Sequence, residues 1–147
     1  MKRLVVLTTV GFLALPGWAG PNRSVILSGE PSPSVNLNTW LKENRAKPEE
    51  AIKITQLGAT AHQSQHIVQI RDHEKPHVHK EHDLTAFVLQ GSGTLTVGKE
   101  EFPVKAGDVI SIPKGTPHHY QKGSRKPTIV YVVFSPPFDG KDTVPVE

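Results

Sequence analysis

The sequence predicts an all-β domain, built as an antiparallel barrel or double-sheet jelly roll, with one short helix before it. From residue 52 onward, short segments rich in Val, Ile, Thr and aromatic residues follow one another, and glycine or proline divides them. Turn residues such as Gly98-Lys99 and Ala106-Gly107-Asp108 recur between these segments. Short, evenly spaced strands with such turns are typical of barrels and jelly rolls.

The first nineteen residues are predicted to form a secretory signal peptide. Lys2 and Arg3 precede an apolar run over residues 4–15, and small residues follow it, so we expect cleavage after Ala19. A membrane span needs about 20 apolar residues, and this run is shorter. An uncleaved anchor is the alternative. We therefore expect a periplasmic or secreted protein with no stable membrane association after cleavage.

The charge balance and the absence of cysteine restrict the function further. The chain has 17 Lys+Arg and 14 Asp+Glu, and the signal peptide holds two of the basic residues and none of the acidic ones. The mature chain is then nearly balanced, which does not favour a nucleic-acid partner. Without cysteine there is no disulfide framework. Stability must therefore come from burial, to which a bound ion could add.

The lead-in over residues 20–51 is rich in proline and carries one predicted helix, over residues 38–46. Asn36 or Asn38 can cap the start of this helix, and Pro48 ends it. A loose surface turn is the alternative. The apolar side of the helix consists of Leu37, Trp40 and Leu41.

The barrel is expected over residues 52–135 and a C-terminal tail over residues 136–147. Pro103 falls within a predicted strand and should lie at an edge or a bulge, because proline cannot donate to the sheet. Phe138 is expected to pin the tail to the surface or to a second subunit. The predicted strands cover residues 52–58, 66–72, 84–90, 94–100, 101–107, 108–114 and 128–134.

Histidines with the spacing of metal ligands occur at two places. His77 and His79 are two residues apart in an extended segment, so both imidazoles lie on one face and can reach a single ion. His118 and His119 follow a tight turn around Gly115. Neighbouring residues of a strand point to opposite faces, so one of these two histidines is a candidate third ligand.

The same segments resemble the cupin superfamily, whose motifs are G(X)5HXH(X)3-4E(X)6G and G(X)5PXG(X)2H(X)3N. The resemblance covers roughly residues 52–135. It implies an all-β fold, the cupin double-stranded β-helix (jelly-roll) barrel with a short N-terminal helix, and a homodimer. It also implies that His77, His79 and His118 bind a metal. The matching positions are His77, His79 and Gly91 for the first motif, and Gly107, Pro113, Gly115 and His118 for the second.

Three positions depart from the motifs. Arg71 and Lys122 replace a glycine and an asparagine, and either could receive an anion at the rim. Leu84 replaces the glutamate ligand. Strand alternation puts His82 on the same face as Leu84, so we expect His82 to be a fourth ligand. Asp83 is the alternative to His82 as a ligand, or a partner of an imidazole N–H. His82 and Asp83 are equally consistent with an ordinary turn.

The remaining positions have simpler expected roles. By the same alternation, Leu84, Ala86 and Val88 should line the inner face of the barrel. The other histidines are expected to face outward or to lie at the surface or rim, and they are His62, His66, His73 and His119.

These residues support three hypotheses about function. The first is a metal-dependent oxidoreductase, similar to the mononuclear dioxygenases among cupins, that acts on a small organic molecule. Fe(II) is the favoured ion, with Zn, Mn, Cu or Ni as alternatives; a sugar or keto-compound isomerase belongs to the same class. The second is a non-catalytic module that binds a small molecule or a metal ion. In the third, the histidines are vestigial and the barrel serves assembly. No general base can be identified in the sequence.

Overall fold

The structure, a computed structural model, describes residues 24–25 and 35–146. The predicted signal peptide over residues 1–19 and most of the lead-in lie outside the described residues. Within the described part, no helix is long and apolar enough to cross a membrane.

Twelve short strands and one helix make up the described part of the chain. Strands β1 and β2 form a small antiparallel pair, and the helix α1 follows β2 directly. In chain order the elements are β1 (Ser24–Val25), β2 (Val35–Asn36), α1 (Leu37–Glu43), β3 (Ile52–Ala59), β4 (Ser64–Ile70), β5 (His77–His79), β6 (Asp83–Gln90), β7 (Ser92–Val97), β8 (Glu100–Lys105), β9 (Val109–Ile112), β10 (His118–Lys122), β11 (Thr128–Ser135) and β12 (Thr143–Pro145).

Ten of these strands form two antiparallel sheets of five strands each. The first sheet has the order β12-β5-β10-β7-β8, and the second has the order β3-β4-β11-β6-β9. Strands that are far apart in the chain lie side by side in both sheets, as in a jelly roll. The predicted fold class is therefore confirmed. Pro103 lies on β8, at the outer edge of the first sheet, where the sequence predicted it.

The main core lies between the two sheets. Leu84, Ala86 and Val88 alternate along β6 and are all buried, which confirms that they face inward. Leu84 and Ala86 share one apolar cluster with Val132 and Phe134 of the neighbouring β11. Burying one such aliphatic or aromatic side chain contributes roughly 1.5–3 kcal/mol, so this face accounts for much of the stability of a chain without disulfides.

Helix α1 covers the outside of the second sheet. Leu37 and Trp40 pack against Ile67 and Ile129 in a second apolar cluster. The Asn36 side chain accepts hydrogen bonds from the first amides of the helix at 3.0 and 3.3 Å, which confirms one of the two predicted caps.

The helix ends at Glu43, earlier than the predicted Ala46. The next residue, Asn44, leaves the helical conformation, and both its amide N–H and its side-chain amide donate to the Trp40 carbonyl. These two bonds satisfy the end of the helix, so the turn closes there. The chain then runs to Ala46, whose amide N–H donates to the Gln69 side chain of β4.

The C-terminal tail belongs to the barrel. Strand β12 pairs with β5 in the first sheet. The prediction for Phe138 was wrong: the ring is buried in the main core and stacks on Phe134, with ring centroids 4.5 Å apart. The apolar ring is thus buried more completely between the sheets than it would be on an outer surface.

Candidate metal centre

Three histidines converge at one end of the space between the sheets. His77 and His79 lie on β5, and His118 lies on β10, directly opposite His77 in the antiparallel pairing. One nitrogen from each ring lies within 4.8 Å of the other two. All three residues are buried. These three residues could hold a single metal ion.

A glycine turn brings β10 beside β5. Gly115 has φ of 77°, in the left-handed region where a residue with a Cβ is strained. Its amide N–H donates to the His79 carbonyl at 2.6 Å. The turn before His118 is therefore tied to the strand that carries the other two histidines.

The second nitrogen of each ring is committed to a backbone carbonyl. Nδ1 of His77 donates to the Lys75 carbonyl at 2.8 Å, and Nδ1 of His118 donates to the Thr116 carbonyl at 2.9 Å. Nδ1 of His79 donates to the Asp142 carbonyl at 3.0 Å. Because a carbonyl can only accept, each Nδ1 carries the proton. Each Nε2 is left with a free lone pair, which is the arrangement of histidines that bind metals.

Burial favours the neutral form of two of these imidazoles, those of His79 and His118. It lowers the pKa of His118 to about 4; the Thr116 carbonyl opposes this effect, and the nearby His77 and His79 rings add to it. Burial also lowers the pKa of His79. Only the neutral imidazole can bind a metal, so the site is ready for an ion at neutral pH. Three imidazoles suit Fe, Cu, Ni or Zn and leave further positions around the ion open.

The structure does not bring His82 into this group. Its ring is buried, as strand alternation predicted. However, Nδ1 lies 2.6 Å from an Asp142 carboxylate oxygen, and Nε2 lies 3.1 Å from the Pro137 carbonyl. Both nitrogens face acceptors, so neither offers a lone pair to the ion that the other three histidines would share. His82 instead connects the barrel to the tail.

Asp83 does not join the three histidines either. It is exposed and accepts a hydrogen bond from the Lys114 amide at 2.9 Å. Leu84, at the place of the family's glutamate ligand, is buried in the main core. The described residues thus provide three imidazoles and no carboxylate at the candidate centre.

Asp142 organises the turn between β5 and β6. Its carboxylate accepts hydrogen bonds from the Lys80 and Glu81 amides at 3.0 and 2.8 Å, and it also contacts His82. Burial alone would raise the pKa of Asp142, but the bonds from His82, Glu81 and Lys80 outweigh it and lower the pKa to about 2. This residue could not be identified from the sequence, because nothing in a proline-rich tail marks one aspartate as inward-facing.

The candidate centre opens into a cavity of about 610 Å³ between the sheets. Most of the side chains that line it are aliphatic or aromatic, among them Ile52, Val68 and Val130. Ile54 also lines the cavity and is 50% exposed, so the cavity reaches the surface beside β3. A cavity of this size and character suits a small, largely apolar organic molecule.

Glu74 is the carboxylate among the described residues that line this cavity. Burial raises its pKa to about 7. Glu74 could not be identified from the sequence, although it lies in the first motif, three residues before His77. The motif leaves that position free, and an isolated glutamate beside charged neighbours is usually solvated. Only the path of the chain around β10 turns it inward.

The remaining histidines divide between the interior and the surface. The prediction that His66 lies at the surface or rim was wrong: His66 is buried, and its Nε2 lies 2.8 Å from the Ser64 hydroxyl. His62 is exposed and His119 is half-buried. His73 is exposed and borders the cavity. Arg71 donates to the Ala46 carbonyl at 3.3 Å.

Solved structures with the same architecture include KdgF from a Halomonas species. It has a TM-score of 0.58 and 25% sequence identity, and the match covers 64% of this chain and 88% of that one. A protein with a double-stranded β-helix domain from Klebsiella pneumoniae has a TM-score of 0.60 at 18% identity, over 72% of this chain and 95% of that one. The second likeness, at this identity, concerns the fold alone.

Two enzymes resemble parts of the chain in sequence. L-ectoine synthase from Vibrio campbellii is 30% identical over 79 residues, which are 52% of this chain and 62% of the enzyme. Quercetin 2,3-dioxygenase from Bacillus subtilis is 39% identical over 54 residues, which are 37% of this chain and 16% of the enzyme. The chain thus matches less than two thirds of either enzyme.

Two further comparisons concern the barrel and most of the chain. The cupin domain model matches residues 65–134, which include all three converging histidines. An uncharacterized protein from Aquifex aeolicus is 41% identical over 112 residues, covering 76% of this chain and 91% of that protein. Together with the two-sheet barrel, these matches show that the chain belongs to the cupin superfamily.

Proposed function

We propose that this protein is a small exported cupin that binds one divalent metal ion through His77, His79 and His118. We further propose that it is a metal-dependent oxidoreductase of the dioxygenase type, acting on a small organic molecule in the adjoining cavity. The observation that supports this most directly is the convergence of three buried imidazoles whose Nδ1 atoms all donate to carbonyls. Export rests on the signal-like sequence of residues 1–19.

Fe(II) is the ion we favour; Zn, Cu or Ni also suit imidazole ligands, and Mn is a further alternative. When bound, a redox-active ion of this kind would supply Lewis acidity and the ability to react with dioxygen. The protein contributes the rest. Its carbonyls fix the orientation of each ring, and its uncharged imidazoles leave the positive charge of the ion undiminished.

The cavity supports a small and mainly apolar substrate. Its walls beside the histidines are mostly aliphatic, and Ile54 extends the apolar surface to the opening. A phenolic or enolic compound fits this character, because it combines an apolar body with one ionisable oxygen. The partial match to quercetin 2,3-dioxygenase supports the same class of reaction.

A non-catalytic module that binds a small molecule or a metal ion is the second candidate. The absence of a carboxylate from the three-histidine group favours this candidate, because Leu84 stands where the family motif has its glutamate ligand. Both candidates use the same metal site. They differ in whether oxygen is consumed when a substrate is added.

Metal analysis tests the site. Elemental analysis of purified wild type should find about one divalent ion per chain, and His77→Ala or His118→Ala should lose it. His119→Ala is the matched control, because His119 neighbours His118 on β10 and is not among the converging histidines. Full metal retention in both His77→Ala and His118→Ala would refute the assignment.

Oxygen uptake tests the activity. The metal-loaded protein should consume oxygen with at least one compound from a panel of enols, phenols and thiols, and His118→Ala should not. If metal binds and no compound in the panel causes uptake, the binding module becomes the better description.

We also propose a homodimer, formed through the outer face of the second sheet. Val109 of the edge strand β9 is 61% exposed and pairs with Phe87, which is 38% exposed and contacts the Tyr131 ring. A second copy would cover these apolar side chains. Sedimentation equilibrium should give a dimer for the wild type and a monomer for Val109→Lys; a monomeric wild type would exclude the proposal.

A further inference from the structure

The cavity contains an acidic group that the three-histidine site does not use. We propose that Glu74 is a proton acceptor in this cavity, and that its carboxylate takes the hydroxyl proton of a weakly acidic, largely apolar ligand such as a phenol or an enol. The inference rests on the proposed function, because it assumes that such a ligand binds beside the histidines. Glu74 would then be the general base that the sequence did not reveal.

The position of Glu74 places it with the candidate centre. It lines the same cavity as His77, His79 and His118. Its amide N–H donates to the Tyr120 carbonyl at 2.8 Å. Tyr120 lies on β10 two residues after His118, and both residues are buried on the same face of that strand. The segment before β5 is thus held against the strand that carries the third histidine.

Glu74 lacks the partner that a structural carboxylate would have. Among the described residues, the ion pairs join His73 to Asp72 and His82 to Asp142, and none involves Glu74. A half-buried carboxylate without a cation lowers the free energy of unfolding, and such groups are frequent at functional sites. Because burial raises the pKa of Glu74 to about 7, both its protonated and ionised forms exist at neutral pH, as a proton carrier requires.

The other ionisable groups around the cavity are less suited to this role. His73 and Lys75 are exposed at the rim. Burial raises the pKa of the Tyr120 hydroxyl, with a further contribution from Glu74, and this hydroxyl is hydrogen-bonded to Thr128. The three converging histidines have their Nδ1 atoms committed and their Nε2 atoms directed at a common point.

The proton transfer is balanced within the cavity. The O–H bond of the ligand breaks, the proton forms a new bond to a Glu74 carboxylate oxygen, and the ligand oxygen keeps the electron pair. One negative charge moves from Glu74 to the ligand, so the total charge of the cavity is unchanged. No further reactant is required.

Proton counting tests this step without measuring turnover. Catechol, which is un-ionised in water at about pH 8, is titrated into the Zn(II)-loaded protein in two buffers of different ionisation enthalpy, and calorimetry gives the protons released per molecule bound. At this pH the Glu74 carboxylate of the wild type can take up the proton that catechol loses on binding, so this proton is not released to the buffer. Glu74→Gln should therefore release about one proton more than the wild type. Glu101→Gln, which alters an exposed glutamate on β8, should match the wild type.

Each result has a definite meaning. Equal proton release by the wild type and Glu74→Gln, or no catechol binding by zinc-loaded wild type, would overturn the role of Glu74 while the metal site stands. Glu74→Asp keeps a carboxylate and should release as many protons per bound catechol as the wild type. This variant also tests the inference if Glu74→Gln binds catechol too weakly for its protons to be counted. A proton release by Glu74→Asp that differs from the wild type overturns the inference. Elemental analysis before the titration shows whether the protein binds metal, so a failure of the proposed metal site is recognised separately from a failure of the role of Glu74.

Discussion

Replacing Glu74 by glutamine is expected to stabilise the metal-free protein at neutral pH. Burial raises the pKa of Glu74 from 4.5 to about 7. Between these values the folded protein keeps a proton that the unfolded chain releases, so the free energy of unfolding of the wild type falls as the pH rises through this range. Glutamine carries no charge and avoids the loss.

The size of the effect follows from the two pKa values. A difference of about 2.5 pKa units corresponds to roughly 3 kcal/mol, at about 1.4 kcal/mol per unit. This figure is an upper value, because water that enters the cavity screens the carboxylate. Glu74→Gln should thus exceed the wild type in stability by up to about 3 kcal/mol near pH 7.5, and equal it near pH 4.5.

Urea unfolding of EDTA-treated protein, followed by the fluorescence of Trp40, measures both stabilities. Trp40 is buried between α1 and the second sheet, so its emission reports loss of the fold. Glu101→Gln serves as the control for removing an exposed charge. If wild type and Glu74→Gln differ by the same amount at every pH, the pKa of Glu74 is not raised in the folded protein, and the prediction is wrong.

Three further predictions concern the site and its support. Burial lowers the pKa of His118 from 6.5 to about 4, so only the unfolded chain takes up a proton between these pH values. The free energy of unfolding of metal-free wild type should therefore fall by about 3 kcal/mol as the pH is lowered through this range, and urea unfolding of His118→Gln should lack this decrease. Gly93→Ala would press a Cβ into the Gln121 carbonyl, displace β10, and lower stability by about 1–3 kcal/mol in thermal unfolding, with weaker metal binding. Asp142→Ala should speed hydrogen exchange at the Glu81 amide, which loses its acceptor; unchanged exchange would contradict this.

The fold could be predicted because its signals are local. Alternation of apolar residues along β6 and glycines at the turns both act within a few residues, and both were read correctly. The pair His77 and His79 was predictable for the same reason, because i and i+2 positions of a strand always share a face. His118 required the second motif, since nothing local indicates that β10 lies beside β5.

The end of the helix and the role of His82 could not be predicted, because distant residues decide them. Asn44 closes the helix with its side chain, where periodicity alone would continue it. His82 turns away from the other histidines because Asp142, sixty residues later in the chain, offers an acceptor 2.6 Å from its Nδ1. Alternation predicts the face on which a side chain lies, but not the partner that it finds there.

Glu74 was missed and Phe138 was placed wrongly for a related reason. Both lie in segments without regular alternation, where the sequence does not indicate the side of the chain on which a side chain lies. Phe138 reaches the core because the tail folds back to form β12, and Glu74 reaches the cavity because its backbone is bonded to β10. Such placements depend on tertiary contacts between segments far apart in the chain.

Strand β5 lies between β10 and β12, and both of these neighbours come later in the chain. While the ribosome is still adding residues beyond His79, the two imidazoles of β5 have no sheet to hold them, and the carbonyl that orients His79 comes from residue 142. The centre can therefore mature only after the chain has been synthesised beyond residue 142. A chain that stops before that point would lack the carbonyl that orients His79 and would bind the metal weakly.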